Sequence, residues 1–276
     1  MFRGGTGVPP VNHAQDAPAT FKCTTISNGM PDLRKHRGAH PEDRKLFGND
    51  QLPAVRTAVS ELSWLLTRDY SMKSALKLVG DRHALTDRQR LAISRAACSD
   101  QSNARRARAR VEIEELESAD VIIDGFNLVI TIEAALGGGI LFLCRDGCIR
   151  DLASVYGSYR SVDETEVAIQ LIGQSLAALK TRSVSWVLDR PVSNSGRLAK
   201  RVRDGADHNG WPWTVETAFN PDREIDSSDR IAITSDGPLL DQVRLWTNFN
   251  RYLIEKRLDE PWLVDLSCGE ESTGFT

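Results

Sequence analysis

Three aspartates each close an apolar run: Val121-Ile-Ile-Asp124, Val184-Ser-Trp-Val-Leu-Asp189 and Ile231-Ala-Ile-Thr-Ser-Asp236. An apolar run without alternation predicts a strand buried on both faces, as in a parallel sheet. In an open α/β sheet, ligands bind outside the carboxyl ends of the strands. Carboxylates gathered there repel one another, and a divalent cation with oxygen ligands relieves the repulsion. The expected chemistry is metal-assisted, with Mg2+ or Mn2+ held by Asp124, Asp189 and Asp236. Such an ion lowers the pKa of a water and holds it in line with a phosphorus. Asp226 and Asp229 lie just upstream of the third run, and Asp229 is counted with the catalytic acids. Asn127 falls where the next helix begins, so its amide can face the same cleft, and Ser235 adjoins Asp236. Ser193, Asn194 and Ser195 precede a predicted helix whose free N–H groups would favour a phosphate. Arg197, Lys200 and Arg201 share one face of that helix. Each feature has an ordinary alternative. A single aspartate after a strand is more often a turn residue or a helix cap, and a basic helix face is more often solvated surface. Three at strand ends within one domain make coincidence harder to sustain.

The elements that must position these residues are readable in outline. Between residues 31 and 110 the chain reads as helical. Pro53 suits a first turn, and Val55, Val59, Leu62 and Leu66 recur at helical spacing. Ser71 and Thr86 can cap two further helices, with Gly80 ending the first of them. Arg82, Arg88, Arg90, Arg95 and the run Asn103–Arg110 make this part basic. From residue 120, strands alternate with helices. Ile140–Leu143 and Ile149–Leu152 flank Arg145-Asp146-Gly147 as a hairpin, and Asp163-x-x-Glu166 reads as a capping box. Helices are expected over Leu128–Leu136, Arg197–His208 and Leu239–Asn248, with further strands at Trp213–Thr217 and Trp262–Leu266. The fold class is α/β: a three-layer α/β/α domain with a mostly parallel sheet, preceded by a small all-helical domain.

The totals are those of an ordinary globular chain: 276 residues, 41% hydrophobic and 26% charged. The net charge of −3 conceals an asymmetry, 19 Lys and Arg against 14 Asp and Glu in residues 1–119, then 16 against 24. A basic front half and an acidic back half suit a nucleic-acid grip joined to a metal-binding centre. The five cysteines are odd in number and irregularly spaced, which argues for a reducing cytoplasm. No apolar window is long enough for a membrane span. Residues 1–29 are expected to be a disordered tail from a misplaced start, because Gly4–Asp16 resembles the translation of an interspersed DNA repeat. Met30 is then the expected initiator, 30–117 a helical leader and 118–276 the α/β domain.

Asp124-Gly-Phe-Asn127 after a buried strand, with Thr234-Ser-Asp236 near the end, resembles the PIN/NYN-like nuclease superfamily. That resemblance implies an α/β/α fold and an acidic Mg2+ or Mn2+ site that cleaves RNA or, in some branches, DNA. It assigns Asp124 to the first-strand aspartate, Asn127 to the asparagine that follows, Asp189 to an intermediate strand and Asp236 to the late strand. Residues 31–276 as a whole are similar to an uncharacterised prokaryotic family in which a helical leader precedes a PIN-like domain. The leader carries Arg37-Gly-Ala-His-Pro-Glu-Asp43 and Val79-Gly-Asp-Arg82. One departure concerns the fourth acid: the superfamily has a longer acidic helix before the strand of Asp236, where only Glu224–Arg230 is available here.

The expected function is therefore metal-dependent endoribonuclease, with nucleic acid as partner, RNA foremost, no membrane, and a homodimer left open. The alternative is a non-catalytic RNA- or protein-binding module with a degenerate site. An aspartyl-phosphate enzyme ranks last, because Phe126 stands where a second acid is wanted two residues after Asp124. Cys144 and Cys148 lack a second pair for zinc. Trp186, Trp211 and Trp213 are more often core than base-stacking residues.

Overall fold

The computed structural model describes residues 36–153 and 159–267. The tail, Met30, Cys23 and Cys268 lie outside them. The described residues all belong to one compact unit.

The helical part comprises α1 (Asp43–Leu46), α2 (Leu52–Thr67), α3 (Met72–Arg82), α4 (Asp87–Ala96) and α5 (Asp100–Ala109). Ser71 caps α3 by accepting from Ser74 N–H, and Thr86 caps α4 in a full capping box with Gln89. Gly80 lies inside α3, which runs on to Arg82. The motif residues of the leader act as braces. Arg88 forms a two-pronged pair with the fully buried Asp43. Arg37 donates to the buried Glu133 at 2.6 Å, and Arg90 donates to Asp81 at 2.8 Å.

Then follow β1 (Arg110–Val111), a 3-10 turn at Ile113–Leu116, β2 (Asp120–Asp124), α6 (Gly125–Leu136), β3 (Leu141–Leu143) and β4 (Ile149–Asp151). Next come α7 (Thr165–Ala178), β5 (Ser183–Asp189), α8 (Ser195–Asn209), β6 (Trp213–Ala218) and α9 (Pro221–Asp226). The chain continues through β7 (Ile231–Ile233), α10 (Gly237–Leu240), β8 (Trp246–Thr247), α11 (Phe249–Arg257) and β9 (Leu263–Asp265). Six strands form one sheet in the order β1-β8-β7-β2-β5-β6, all parallel. A smaller sheet, β4-β3-β9, is mixed: β3 pairs antiparallel with β4 and parallel with β9. The protein is thus a helical N-terminal region followed by an α/β domain with a parallel sheet.

Strand alternation sorts the core. Val121, Ile123, Trp186, Leu188 and Ile233 pack with α6, α7, α8 and α11. Ile122, Val187 and Ala232 pack with Ile225 of α9 and with Leu239 and Leu240 of α10. A third cluster joins the leader helices to Ile140, Phe142, Leu152, Val264 and Leu266 of the smaller sheet and its flanks.

Two expected elements are corrected. The helix over Leu239–Asn248 is broken: α10 stops at Leu240 and Trp246–Thr247 enters the sheet between β1 and β7. The buried Trp246 indole donates to Arg106 O at 2.8 Å, a partner far away in sequence that local periodicity cannot reveal. The Asp163–Glu166 capping box does not form. The helix begins at Thr165, so Glu164 rather than Asp163 occupies the N-cap, with helical backbone angles and no side-chain cap bond; its carboxylate meets His36 at 2.7 Å.

Candidate functional site

Strand order alone sets the acids in a row. Reading across the sheet, β7 leads to Asp236, β2 ends in Asp124, β5 ends in Asp189, and β6 leads into Asp222 at the start of α9. Asp124 lies opposite Val187, so Asp189, two residues further, shares its face of the sheet.

Asp124 caps α6: its carboxylate accepts from Asn127 N–H at 3.4 Å and from the Thr234 hydroxyl at 2.9 Å. The same hydroxyl accepts from Asp236 N–H at 3.0 Å, so one threonine links the two acids. Burial, then the charges of Asp236 and Asp222, push the Asp124 carboxyl up to about 7 against the pull of the Thr234 hydrogen bond. Asp236 caps α10 by accepting from Leu239 N–H at 3.0 Å. Burial raises the Asp189 carboxyl, and its Oδ1 is enclosed with no hydrogen-bond partner. Asp222 is raised by burial and by the charges of Asp236 and Asp189. Its residue surface is nevertheless largely exposed, so the carboxyl is enclosed more than the residue as a whole. Among the described residues, no three His, Cys, Asp or Glu side chains form a group that could hold a metal ion.

Asp222 is the acid that the sequence reading missed. Asn220-Pro221-Asp222 is a helix start, with Asn220 accepting from Arg223 N–H and Pro221 at the first position. That signal could have placed a carboxylate at the edge after β6. The expected Asp229 is elsewhere: its exposed side chain pairs with Arg244 at 2.7 Å. Asp226 is exposed at the far end of α9.

The other expected residues mostly hold backbone. Asn127 Oδ1 accepts from both the N–H and the hydroxyl of Ser235, at 2.8 and 2.9 Å, tying α6 to the turn of Asp236. Ser235 is buried, and its carbonyl accepts from Arg150. Asn194, in left-handed backbone at φ 69°, donates to Tyr159 O at 2.8 Å. The buried Ser195 hydroxyl donates to Arg190 O at 3.4 Å. Ser193 and Arg197 are exposed.

The basic run of α5 divides. Arg105, Arg108 and Arg110 are exposed, whereas Arg106 is buried. Arg106 reaches Asp241, Asp146 and the Gly237 carbonyl at 2.7–2.9 Å, so it braces the turn that presents Asp236. A cleft of about 470 Å³ lies beside this brace, lined by Met72, Ser99 and Arg106 of the leader and by Phe126, Asn127 and Asp236. Cys98, Cys144 and Cys148 are buried thiols, and burial pushes the first two up to about 11. Trp211, Trp213 and Trp186 meet successively in tilted ring pairs at 4.6 and 5.2 Å and so pack on one another. No helix among the described residues is long and apolar enough to cross a membrane.

Residues 54–108 match a family model described as Protein of unknown function (DUF434), and residues 113–252 match Domain of unknown function (DUF5616). The chain is 30% identical over 187 residues to the uncharacterized protein MJ0935 of Methanocaldococcus jannaschii, covering 68% of this chain and 89% of that one. No solved structure matches it. The segment that bears the carboxylate row is the one the second model spans, and the chain belongs to the DUF5616 family, with a DUF434 segment ahead of that domain.

Proposed function

We propose that this protein is a divalent-cation-dependent endoribonuclease, with Asp236, Asp124, Asp189 and Asp222 as its acidic edge. The observation that carries the reading is uncompensated negative charge. Among the described residues no cationic side chain pairs with any of the four, and three of them are raised by enclosure, Asp124 and Asp222 also by the charges of neighbouring acids in the row. Carboxyls perturbed together by enclosure and by like charges mark a functional-site candidate. The choice of RNA follows the PIN/NYN-like resemblance of Asp124-Gly-Phe-Asn127 and Thr234-Ser-Asp236.

The donor set suits the ion. Every side chain offers hard carboxylate oxygen, and Asp189 Oδ1 is enclosed with no partner. Mg2+ is commonly held by one or two carboxylates, with waters and substrate phosphate completing the shell. Asp124 and Asp236, joined through Thr234, would serve as that pair. When bound, the ion supplies an activated water and offsets developing charge on the phosphate. The remaining work falls to the protein. Thr234 fixes the Asp124 carboxylate, Asn127 and Arg150 fix Ser235, and Arg106 fixes Gly237, so the turn of Asp236 is held from three sides.

The test is cleavage of a labelled single-stranded RNA with Mn2+ by the wild type, Asp124→Asn and Asp236→Asn. Asparagine is close in shape and still caps a helix, so the fold is spared. Rates should fall roughly a hundredfold or more; equal cutting by all three proteins discards the site.

A second reading, a non-catalytic RNA- or protein-binding module, draws support from one observation. Asp124 and Asp236 each cap a helix, and no three ligands gather among the described residues. It requires RNA binding without divalent ions that survives Asp236→Asn.

A further inference from the structure

We propose that Phe219 and Arg190 form a base-stacking platform beside the acidic edge, and that the nucleic acid held there is single-stranded. The proposal deepens the endoribonuclease reading, on which it rests for the place of the scissile phosphate.

Phe219 is 74% exposed, the most exposed large apolar side chain among the described residues. A lone surface hydrophobe is ordinary, but this one has a specific position and a specific neighbour. It directly follows β6 and stands three residues before Asp222; Arg190 directly follows Asp189. Arg190 N–H donates to Ala218 O at 2.7 Å, which locks the two turns together. The Arg190 guanidinium carbon lies 4.7 Å from the centre of the Phe219 ring.

A guanidinium over an aromatic face is attractive, and it holds the ring in place while leaving it exposed. Arg190 forms no ion pair among the described residues. Neither does Arg197 in the first turn of α8 or Arg223 in the first turn of α9. Their charge complements a phosphodiester chain and would be repelled by another basic surface. A held ring, with unpaired guanidinium groups in the helix starts along the same sheet edge, matches the way single strands are bound without sequence readout: bases stack on aromatic faces while arginines track the phosphates. Bases inside a duplex already stack on each other and do not offer a face. A base on Phe219 would lie next to the turn that follows Asp189 and just ahead of Asp222 in the chain, beside the acidic edge.

The experiment measures binding of a short fluorescein-labelled, uridine-rich RNA by anisotropy, in EDTA so that cleavage plays no part. The full chain is compared with Phe219→Ala, Phe219→Trp and Arg190→Ala, using the RNA alone and annealed to its complement. Phe219→Ala should weaken single-strand binding between about fivefold and a hundredfold, the range for loss of one stacked base. It should leave binding of the annealed form and the melting temperature unchanged, since the side chain is exposed. Phe219→Trp should retain affinity, and its added emission, read as a difference from the six native tryptophans, should be quenched by the single strand. Arg190→Ala should weaken binding and flatten its salt dependence. Unchanged single-strand affinity of Phe219→Ala overturns the platform, as does an equal loss on the annealed form or the absence of single-strand binding by the wild type. The two readings fail separately. If Asp124→Asn cuts as well as the wild type while Phe219→Ala loses binding, the catalytic site is wrong and the platform stands. If Asp124→Asn stops cutting while Phe219→Ala binds as the wild type does, the platform is wrong and the catalytic site stands.

Discussion

Asp146 is held by two arginines at once. It accepts from Arg150 at 2.6 and 2.9 Å and from Arg106 at 2.7 Å, all within the buried interior. Burial alone would raise its carboxyl, but the arginines overcome burial and hold it at about 2. A carboxyl depressed in the folded state stabilises the fold above its unfolded pKa of about 3.9, and that contribution disappears as pH falls through about 2. Asp146→Asn should therefore cost about 3–5 kcal/mol at neutral pH, because two guanidinium groups lose their buried partner. Urea midpoints should fall with pH below about 4 in the wild type and much less in the variant; parallel curves would show that Asp146 is not the group responsible. At Asp124 the expectation is opposite in sign. In EDTA, Asp124→Asn keeps an effective cap and removes a charge that burial and Asp236 both oppose. Its melting temperature should match or exceed that of the wild type by a few degrees; a lower value would mean that the carboxylate is structural. The three acids at strand ends were legible because each terminates an apolar run. Asp222 was not, because Phe219-Asn220-Pro221 separates it from its strand. Arg106 was read as a grip because a basic helix does not announce which of its arginines will meet Asp146 and Asp241, 40 and 135 residues away.

At the scale of elements, caps and turns written within a few residues were readable, and pairings across the chain were not. Thr86 and Gln89, Ser71 and Ser74, and the β3–β4 hairpin with Gly147 at φ 77° all rest on neighbours. The stretch Leu239-Leu240-Val243-Trp246 has helical spacing, yet the last residue belongs to a strand whose partners, β1 and β7, lie elsewhere in the chain. The link between β2 and α6 is a close one. A Cβ on Gly125 would stand 2.6 Å from Leu188 Cδ2 and 3.1 Å from Val187 O. Gly125→Ala should push α6 away from β5, with a cost of about 1–3 kcal/mol by urea unfolding. It should also reduce RNA cleavage, since Asp124 and Asn127 flank the displaced residue. An alanine variant with wild-type stability would show that Leu188 yields without consequence.

For the whole molecule, the leader and the smaller sheet share a core. Phe47, Leu62 and Ile93 are clustered with Phe142, Leu152 and Val264, and Phe47 meets Phe142 edge-on at 4.9 Å. A fragment beginning at Arg110 would bare that apolar surface and lose Arg106 from the turn of Asp236. It should aggregate or lack a cooperative unfolding transition in circular dichroism; a fragment that unfolds cooperatively at the full-length midpoint would show the leader to be dispensable for folding. Because all six strands of the main sheet run the same way, the bends joining α7 to β5 near Lys180 and α8 to β6 near Gly210 fall at the end remote from the carboxylates. Lys180 is solvent-facing there. Dyes, affinity handles or surface tethers grafted on that side would leave the reactive rim clear, giving the molecule a natural back by which it can be held while its front is interrogated.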